Sequence, residues 1–154
     1  MAKIRVALIG YGLGGRVFHA PLIAAVPEFS LESIVTSRRE AYPGVAVTTD
    51  VEAAMRGADL VVVSTPDETH SGLARRALEM GKDVVVDKPF TQTLADAREL
   101  SALAEAKGRF LSVYQNRRWD SDFLGARAVI ASGELGRVTQ FESRIDRFRT
   151  EVKE

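Results

Sequence analysis

The sequence predicts an α/β fold built on a doubly wound parallel sheet. Short apolar segments alternate with helical patterns from the N-terminus to about residue 115, which is typical of repeated βαβ units. The apolar segments, such as residues 60–63, contain almost no polar residue, as expected for strands covered on both faces. A glycine-rich turn at residues 10–15 directly follows the first segment. In such a sheet the carboxyl ends of the strands share one edge, where ligands bind.

The first half of the chain contains predicted strands and helices whose ends carry suitable boundary residues. We predict strands over 4–9, 31–36, 45–47 and 60–63, and helices over 17–26 and 51–56. Pro27 ends the first helix because proline cannot continue its hydrogen bonds. Asp50 suits the N-cap of the second helix, and Gly57 suits the position just after its end.

The alternation continues through the second half of the predicted sheet. A helix that begins at 65–67 is predicted to end at Gly81, and strands are predicted over 84–86 and 110–113. Thr93 and Asp96 have the spacing of a capping box, so they begin the helix that Gly108 closes. These elements complete a dinucleotide-binding domain, which we predict over residues 1–118.

Residues 119–154 differ in character from the preceding sheet and are predicted to contain a helix and the first strand of a second sheet. A helix is predicted over 120–131, and residues 138–149 alternate between polar and apolar side chains. That alternation predicts an antiparallel strand with one polar face. Because a strand without neighbours leaves its backbone groups unpaired, we expect it to pair between copies of the chain or to be disordered.

Composition excludes several classes of function. The 21 basic and 21 acidic residues cancel and form no basic cluster, so nucleic acid is not an expected partner. The chain has no cysteine, which excludes disulfides and thiolate metal sites, and its two histidines lack the spacing of metal ligands. Neither a signal-peptide pattern nor a membrane-span-length apolar run is present. We therefore expect a soluble cytoplasmic protein without metal or membrane partners.

The glycine-rich turn has the spacing of the dinucleotide-binding fingerprint of Rossmann-type domains, with Gly10, Gly12 and Gly15 at its fixed positions. Gly10 allows the tight turn, Gly12 lets a pyrophosphate approach the backbone, and Gly15 lets the helix pack closely on the strand. Leu13 and Gly14 lie in the same turn and are included in the predicted cofactor-binding set, and the N-terminus of the helix that follows favours phosphate. The alternative is an ordinary tight turn, but its position between a buried strand and a helix favours dinucleotide binding.

The end of the second predicted strand lacks the carboxylate that binds the ribose of NAD. That acid ordinarily lies about 20 residues beyond the fingerprint. Ser37, Arg38 and Arg39 stand there instead, and hydroxyl and guanidinium groups suit a 2′-phosphate. We therefore predict NADP as the cofactor in preference to NAD. The alternative is a solvated loop in which two arginines are ordinary.

Two further strand ends carry candidate site residues. Lys88 is the candidate catalytic residue, because a lysine beside the nicotinamide can hydrogen-bond a substrate hydroxyl and stabilise charge as its proton leaves. Thr65 and Pro66 are predicted to run beneath the nicotinamide half of the cofactor, although a proline at the start of a helix explains them equally well. We assign His70 to the same cofactor-binding set, with a packing or capping role expected in place of catalysis.

Residues 116–120 are rich in side chains that form directional hydrogen bonds, and Asn116 is included in the predicted cofactor-binding set. This stretch could line a substrate pocket, close the cofactor site or form a domain hinge, and the sequence leaves these alternatives open. His19 lies in the first predicted helix near the expected phosphates, where we expect no catalytic role.

Taken together, these motifs resemble the Gfo/Idh/MocA oxidoreductases, and most closely the branch that contains NADP-dependent scyllo-inositol dehydrogenase. The matching stretches are residues 10–21, 64–66 with His70, 77–78 with 81–82, 87–90, 116–120 and 133–136. The resemblance implies hydride transfer between NADP(H) and a hydroxyl-bearing carbon of a sugar or cyclitol, with Lys88 as a catalytic residue. Asp87 and Asp67 depart from the glutamate and asparagine that are usual in the family.

The resemblance also implies that residues 119–154 begin a second, incomplete α/β domain, which supplies the substrate pocket, a catalytic Asp/His pair and the interface of a homo-oligomer in the family. Because this chain contains no candidate for that pair, we expect an N-terminal portion that binds cofactor but turns over poorly. Two alternatives stay open: a stand-alone nucleotide-binding or regulatory module, and a transferase that uses another adenosine cofactor. The transferase predicts neither Lys88 nor the pair Ser37 and Arg38.

Overall fold

The computed structural model describes residues 2–38, 42–146 and 148, and contacts divide the chain into two units, Met1–Gln115 and Asn116–Glu154. The first unit contains a six-stranded parallel sheet with the strand order β3-β2-β1-β4-β5-β6. The strands are β1 (Ile4–Ile9), β2 (Phe29–Val35), β3 (Ala46–Thr48), β4 (Leu60–Val63), β5 (Asp83–Val86) and β6 (Leu111–Val113). The order reverses between β1 and β4, so the predicted doubly wound fold is confirmed, with its ligand-binding switch point between these strands.

Helices connect the strands, and the predicted N-caps Asp50 and Thr93 are confirmed, whereas Gly57 is the last residue of the helix that it was expected to follow. The helices of this unit are α1 (Ala20–Ala25), α2 (Val51–Gly57), α3 (His70–Glu79) and α4 (Leu94–Lys107). The Ala53 amide donates to the Asp50 carboxylate (2.9 Å), and the Asp96 amide donates to the Thr93 hydroxyl (3.1 Å). The helix predicted from residue 17 differs at its start, since a π-helical turn over Gly15–His19 precedes α1.

Both faces of the sheet are buried, which explains the continuous apolar strands. Ala7 and Ile9 of β1 face a core shared with α2, α3 and α4. The alternate residues Val6 and Leu8 face a second core, shared with Ile23 of α1. Because successive side chains of a strand point to opposite faces, a strand between two cores must be apolar at every position.

The second unit contains a short 3₁₀ turn (Asn116–Trp119) and helix α5 (Ser121–Ser132), which lies close to the helix predicted over 120–131. The strand predicted over 138–149 was wrong for residues 138–146 and 148, which form neither helix nor strand. A strand needs a neighbour for its backbone hydrogen bonds, and the pattern of side chains supplies none. No helix within the described residues is long and apolar enough to span a membrane.

Candidate functional site

The carboxyl ends of the central strands lie in register at one edge of the sheet. Ile9 of β1 pairs with Val35 of β2 and Val63 of β4, and Val63 in turn pairs with Val86 of β5. The residues that follow these positions are therefore neighbours across the edge. They are Gly10, Thr36, Ser64 and Asp87.

A cleft of about 760 Å³ lies along this edge. It is lined by the predicted site residues Gly10, Gly12, Leu13, Gly14, Ser37, Arg38, Thr65 and Pro66. Val51 and Leu73 add an apolar wall that the sequence analysis missed, and Thr69, Ser64 and Asp87 add polar groups. Apolar helix residues carry no motif, so only the packing of α2 and α3 beside the strand ends identifies Val51 and Leu73 as part of the cleft.

The glycines of the turn differ in what surrounds them. A Cβ atom on Gly10, whose φ is +99°, would lie 2.3 Å from the Ser64 carbonyl oxygen, and one on Gly15 would lie 2.2 Å from the Gly10 carbonyl oxygen. Both approaches are too close for any side chain, so the fold itself requires these glycines. A Cβ on Gly12 would have no described atom within 4 Å. The protein leaves that space open beside the backbone, where the fingerprint predicts a pyrophosphate.

The loop after β2 presents hydroxyl and guanidinium groups to the cleft. Ser37 and Arg38 are exposed, and the Arg38 amide donates to the Thr36 hydroxyl (3.1 Å), which fixes the start of the loop. Arg39, the third residue of the predicted group, lies outside the described residues. Residues 36–38 include no carboxylate that could bind a ribose in the manner of NAD.

His70 lies behind the cleft and joins two of the strand ends. It is 1% exposed; its Nδ1 is 2.8 Å from the Pro89 carbonyl oxygen and its Nε2 is 2.9 Å from the Thr65 carbonyl oxygen. The ring therefore lies between the turn after β4 and the turn after β5 and is within hydrogen-bonding distance of a carbonyl oxygen in each. This arrangement orients Thr65 and Pro66 without placing the imidazole in the cleft.

The turn after β5 carries Lys88. Its side chain is exposed and does not line the cleft, its amide donates to Asp87 Oδ1 (2.7 Å), and the Lys88–Pro89 peptide bond is cis. Asn116 belongs to the second unit, where it begins the 3₁₀ turn Asn116–Trp119. No group of His, Asp or Glu residues that could hold a metal ion occurs in the described part of the chain.

A polar cluster around Asp87 lies beneath the glycine turn. Ser64 Oγ donates to Asp87 Oδ2 (3.2 Å), and His19 Nε2 lies 3.3 Å from the same oxygen. The His19 ring is 4% exposed and lies against Tyr114, with the ring centroids 4.4 Å apart. Sequence analysis placed Asp87 and Ser64 only within motifs, although their positions at the ends of β5 and β4 were a usable signal.

Electrostatics in this cluster favour an ionised Asp87. Burial alone would raise the pKa of Asp87, but the adjacent His19 ring and the hydrogen bonds from the Lys88 amide and the Ser64 hydroxyl outweigh it and hold the pKa below its ordinary value. Burial, followed by the nearby Asp87 charge, raises the pKa of Tyr114. The cluster therefore places a negative carboxylate between the glycine turn and Lys88.

Known proteins share both the sequence and the fold. A family model described as an oxidoreductase family with an NAD-binding Rossmann fold matches residues 4–115. The uncharacterized oxidoreductase YdgJ of Escherichia coli is 51% identical over 99% of this chain and 46% of its own length. The scyllo-inositol 2-dehydrogenase (NADP+) IolW of Bacillus subtilis is 37% identical over 97% of this chain and 44% of its own length.

A crystal structure of a Klebsiella pneumoniae protein described as an oxidoreductase superposes with a TM-score of 0.92. It is 53% identical and covers 97% of this chain and 45% of its own chain. The chain thus spans less than half the length of these relatives.

Proposed function

This chain belongs to the oxidoreductase family with the NAD-binding Rossmann fold, and from that premise we propose that it binds NADP(H) for hydride transfer to or from a hydroxyl-bearing carbon of a sugar or cyclitol. One observation carries the proposal. Gly12 leaves open space against the backbone at the switch point of the sheet, while Gly10 and Gly15 are fixed by close packing. The described atoms would accommodate an alanine at position 12, so packing does not require a glycine there, whereas close approach of a diphosphate to the backbone would.

The residues present suit a dinucleotide laid across the strand ends. The backbone at Gly12, Leu13 and Gly14 would hold the diphosphate, since main-chain amides at the start of a helix attract phosphate oxygens. Thr65 and Pro66, which His70 holds in place, would lie along the nicotinamide half. When bound, the nicotinamide ring supplies or accepts the hydride.

Selection of NADP is assigned to the loop after β2. Arg38 offers forked N–H donors and Ser37 a hydroxyl, both at the cleft and both suited to a 2′-phosphate. A carboxylate, which would repel that phosphate, is missing from residues 36–38. The relative IolW is a scyllo-inositol 2-dehydrogenase (NADP+), which supports both the proposed cofactor and the proposed substrate class.

Lys88 is the proposed catalytic residue. Its ammonium would donate a hydrogen bond to the substrate hydroxyl and stabilise the developing alkoxide during oxidation. The rest of the catalytic set, a substrate pocket and the interface of a homo-oligomer are assigned to a second domain, of which we propose residues 119–154 as the start. Asn116, just before that boundary, is proposed to contact the cofactor.

Paired titrations test the proposal. NADPH and NADH are each added to the chain, and binding is followed by the change in nicotinamide fluorescence. We expect saturable binding of both, with NADPH at least about tenfold tighter, as one charge-assisted hydrogen bond to the 2′-phosphate provides. Tighter binding of NADH would refute the choice of NADP, and binding of neither would refute the proposed function.

A further inference from the structure

Three elements meet at the carboxylate of Asp87. Oδ1 accepts a hydrogen bond from the Lys88 amide (2.7 Å), and Oδ2 accepts one from Ser64 Oγ (3.2 Å) at the end of β4. His19 Nε2, from the π-helical turn, lies 3.3 Å from Oδ2. The same Oδ2 would lie 2.8 Å from a Cβ on Gly14, so the glycine turn also packs against it.

A histidine at position 19 is energetically unfavourable if its side chain serves only to pack against its neighbours. Its ring is 4% exposed, and Nε2 has no well-aligned hydrogen bond to any described residue, although the Asp87 carboxylate is adjacent. A buried polar nitrogen is unfavourable unless a partner satisfies it. The nearby carboxylate favours the tautomer with a proton on Nε2, which a small shift of either side chain would align with Oδ2.

We propose that Asp87 and His19 are positioning residues that couple the diphosphate-binding turn to the Lys88 turn. Asp87 fixes the Lys88 main chain through Oδ1 and supports Gly14 through Oδ2, while His19 and Ser64 keep the carboxylate in place. The inference deepens the proposed function and depends on it. Its consequence is that loss of the His19–Asp87 contact disturbs cofactor binding and the Lys88 turn together.

A double-mutant cycle on the full chain tests this coupling. NADPH affinity is measured for His19→Gln, Asp87→Asn and the double variant. Each single change should weaken binding about tenfold, because each removes one hydrogen-bond contribution from the support of the turn. The double variant should lose no more affinity for NADPH than the single variant that binds it more weakly, because both substitutions act through one carboxylate.

Asp59→Asn is the matched control. Asp59 also joins two elements, because it accepts hydrogen bonds from the Arg5 amide and guanidinium. It precedes β4, however, and so lies at the amino-terminal ends of the strands, away from the cleft. Its loss should lower the unfolding temperature and leave NADPH affinity unchanged. Ser64→Ala, which removes only one hydroxyl from Oδ2, replaces Asp87→Asn if that variant does not fold.

The outcomes separate the two proposals. If the wild-type chain binds neither NADPH nor NADH, the proposed function fails and this inference fails with it. If the wild-type chain binds NADPH but folded single variants bind equally well, or if their losses add in the double variant, the coupling is refuted alone. A loss of affinity in Asp59→Asn equal to that of Asp87→Asn would also refute it, because general destabilisation would then explain both.

Discussion

Replacing Gly12 by alanine should remove cofactor affinity while leaving the fold intact. No described atom lies within 4 Å of the added Cβ, so we expect the free energy of unfolding to change by less than about 0.5 kcal/mol. The Cβ would occupy the space where the diphosphate approaches the backbone. Loss of one charge-assisted amide–phosphate hydrogen bond costs about 2 kcal/mol, which corresponds to roughly a 30-fold increase in Kd.

Two other glycine substitutions serve as controls for Gly12→Ala. Gly15→Ala places its Cβ 2.2 Å from the Gly10 carbonyl oxygen, so it should destabilise the fold by about 3 kcal/mol or prevent folding. Gly72→Ala, in α3, also meets open space but lies away from the turn, so it should stabilise the helix by roughly 0.5 to 1 kcal/mol and leave binding unchanged.

Thermal unfolding and NADPH fluorescence titration on the same samples give the two quantities. The reasoning fails if Gly12→Ala binds NADPH like the wild type, because the open space would then serve no ligand. It also fails if Gly12→Ala unfolds as readily as Gly15→Ala, because the middle glycine would then be needed for the fold.

Three further changes test other parts of the structure. Arg38→Ala should raise the Kd for NADPH about tenfold and leave that for NADH unchanged in paired titrations; equal losses would contradict a 2′-phosphate contact. Arg5 hydrogen-bonds Asp59 and lowers its pKa to about 2, so acid unfolding curves should show stability lost as pH falls from about 4 to 2, and Asp59→Asn should flatten this dependence. The contribution to stability should be small because solvent screens this exposed pair. Asp50→Ala should lower the free energy of unfolding, measured in urea, by about 1 kcal/mol through loss of the N-cap; an unchanged value would contradict the capping role.

Local signals in the sequence were sufficient for much of the fold. The apolar segments predicted the strands because a strand between two cores must be apolar throughout, and Asp50 and Thr93 predicted helix starts because capping depends only on nearby residues. The fingerprint glycines were predictable for the same reason. Their spacing reflects a strand, a turn and a helix that adjoin in the chain.

Contacts between distant residues were not predictable in the same way. His19 and Asp87 approach each other only because β1 and β5 both border β4 and end at the same edge. No periodicity within either segment encodes that meeting. The strand expected over 138–149 failed for a related reason, since alternation defines the two faces of a strand but not its neighbour.

The order of the strands separates the loop that we propose to select the cofactor from the turn that carries Lys88. Arg38 follows β2 and Asp87 follows β5, with β1 and β4 between them. Three spacings between neighbouring strands amount to about 14 Å. At that distance, without shared partners, the effects of substitutions are expected to add. If the loop after β2 selects the cofactor as proposed, a change there between NADP and NAD preference should leave Lys88 undisturbed, whereas a side chain at Gly14 would displace the Asp87 carboxylate that accepts a hydrogen bond from the Lys88 amide.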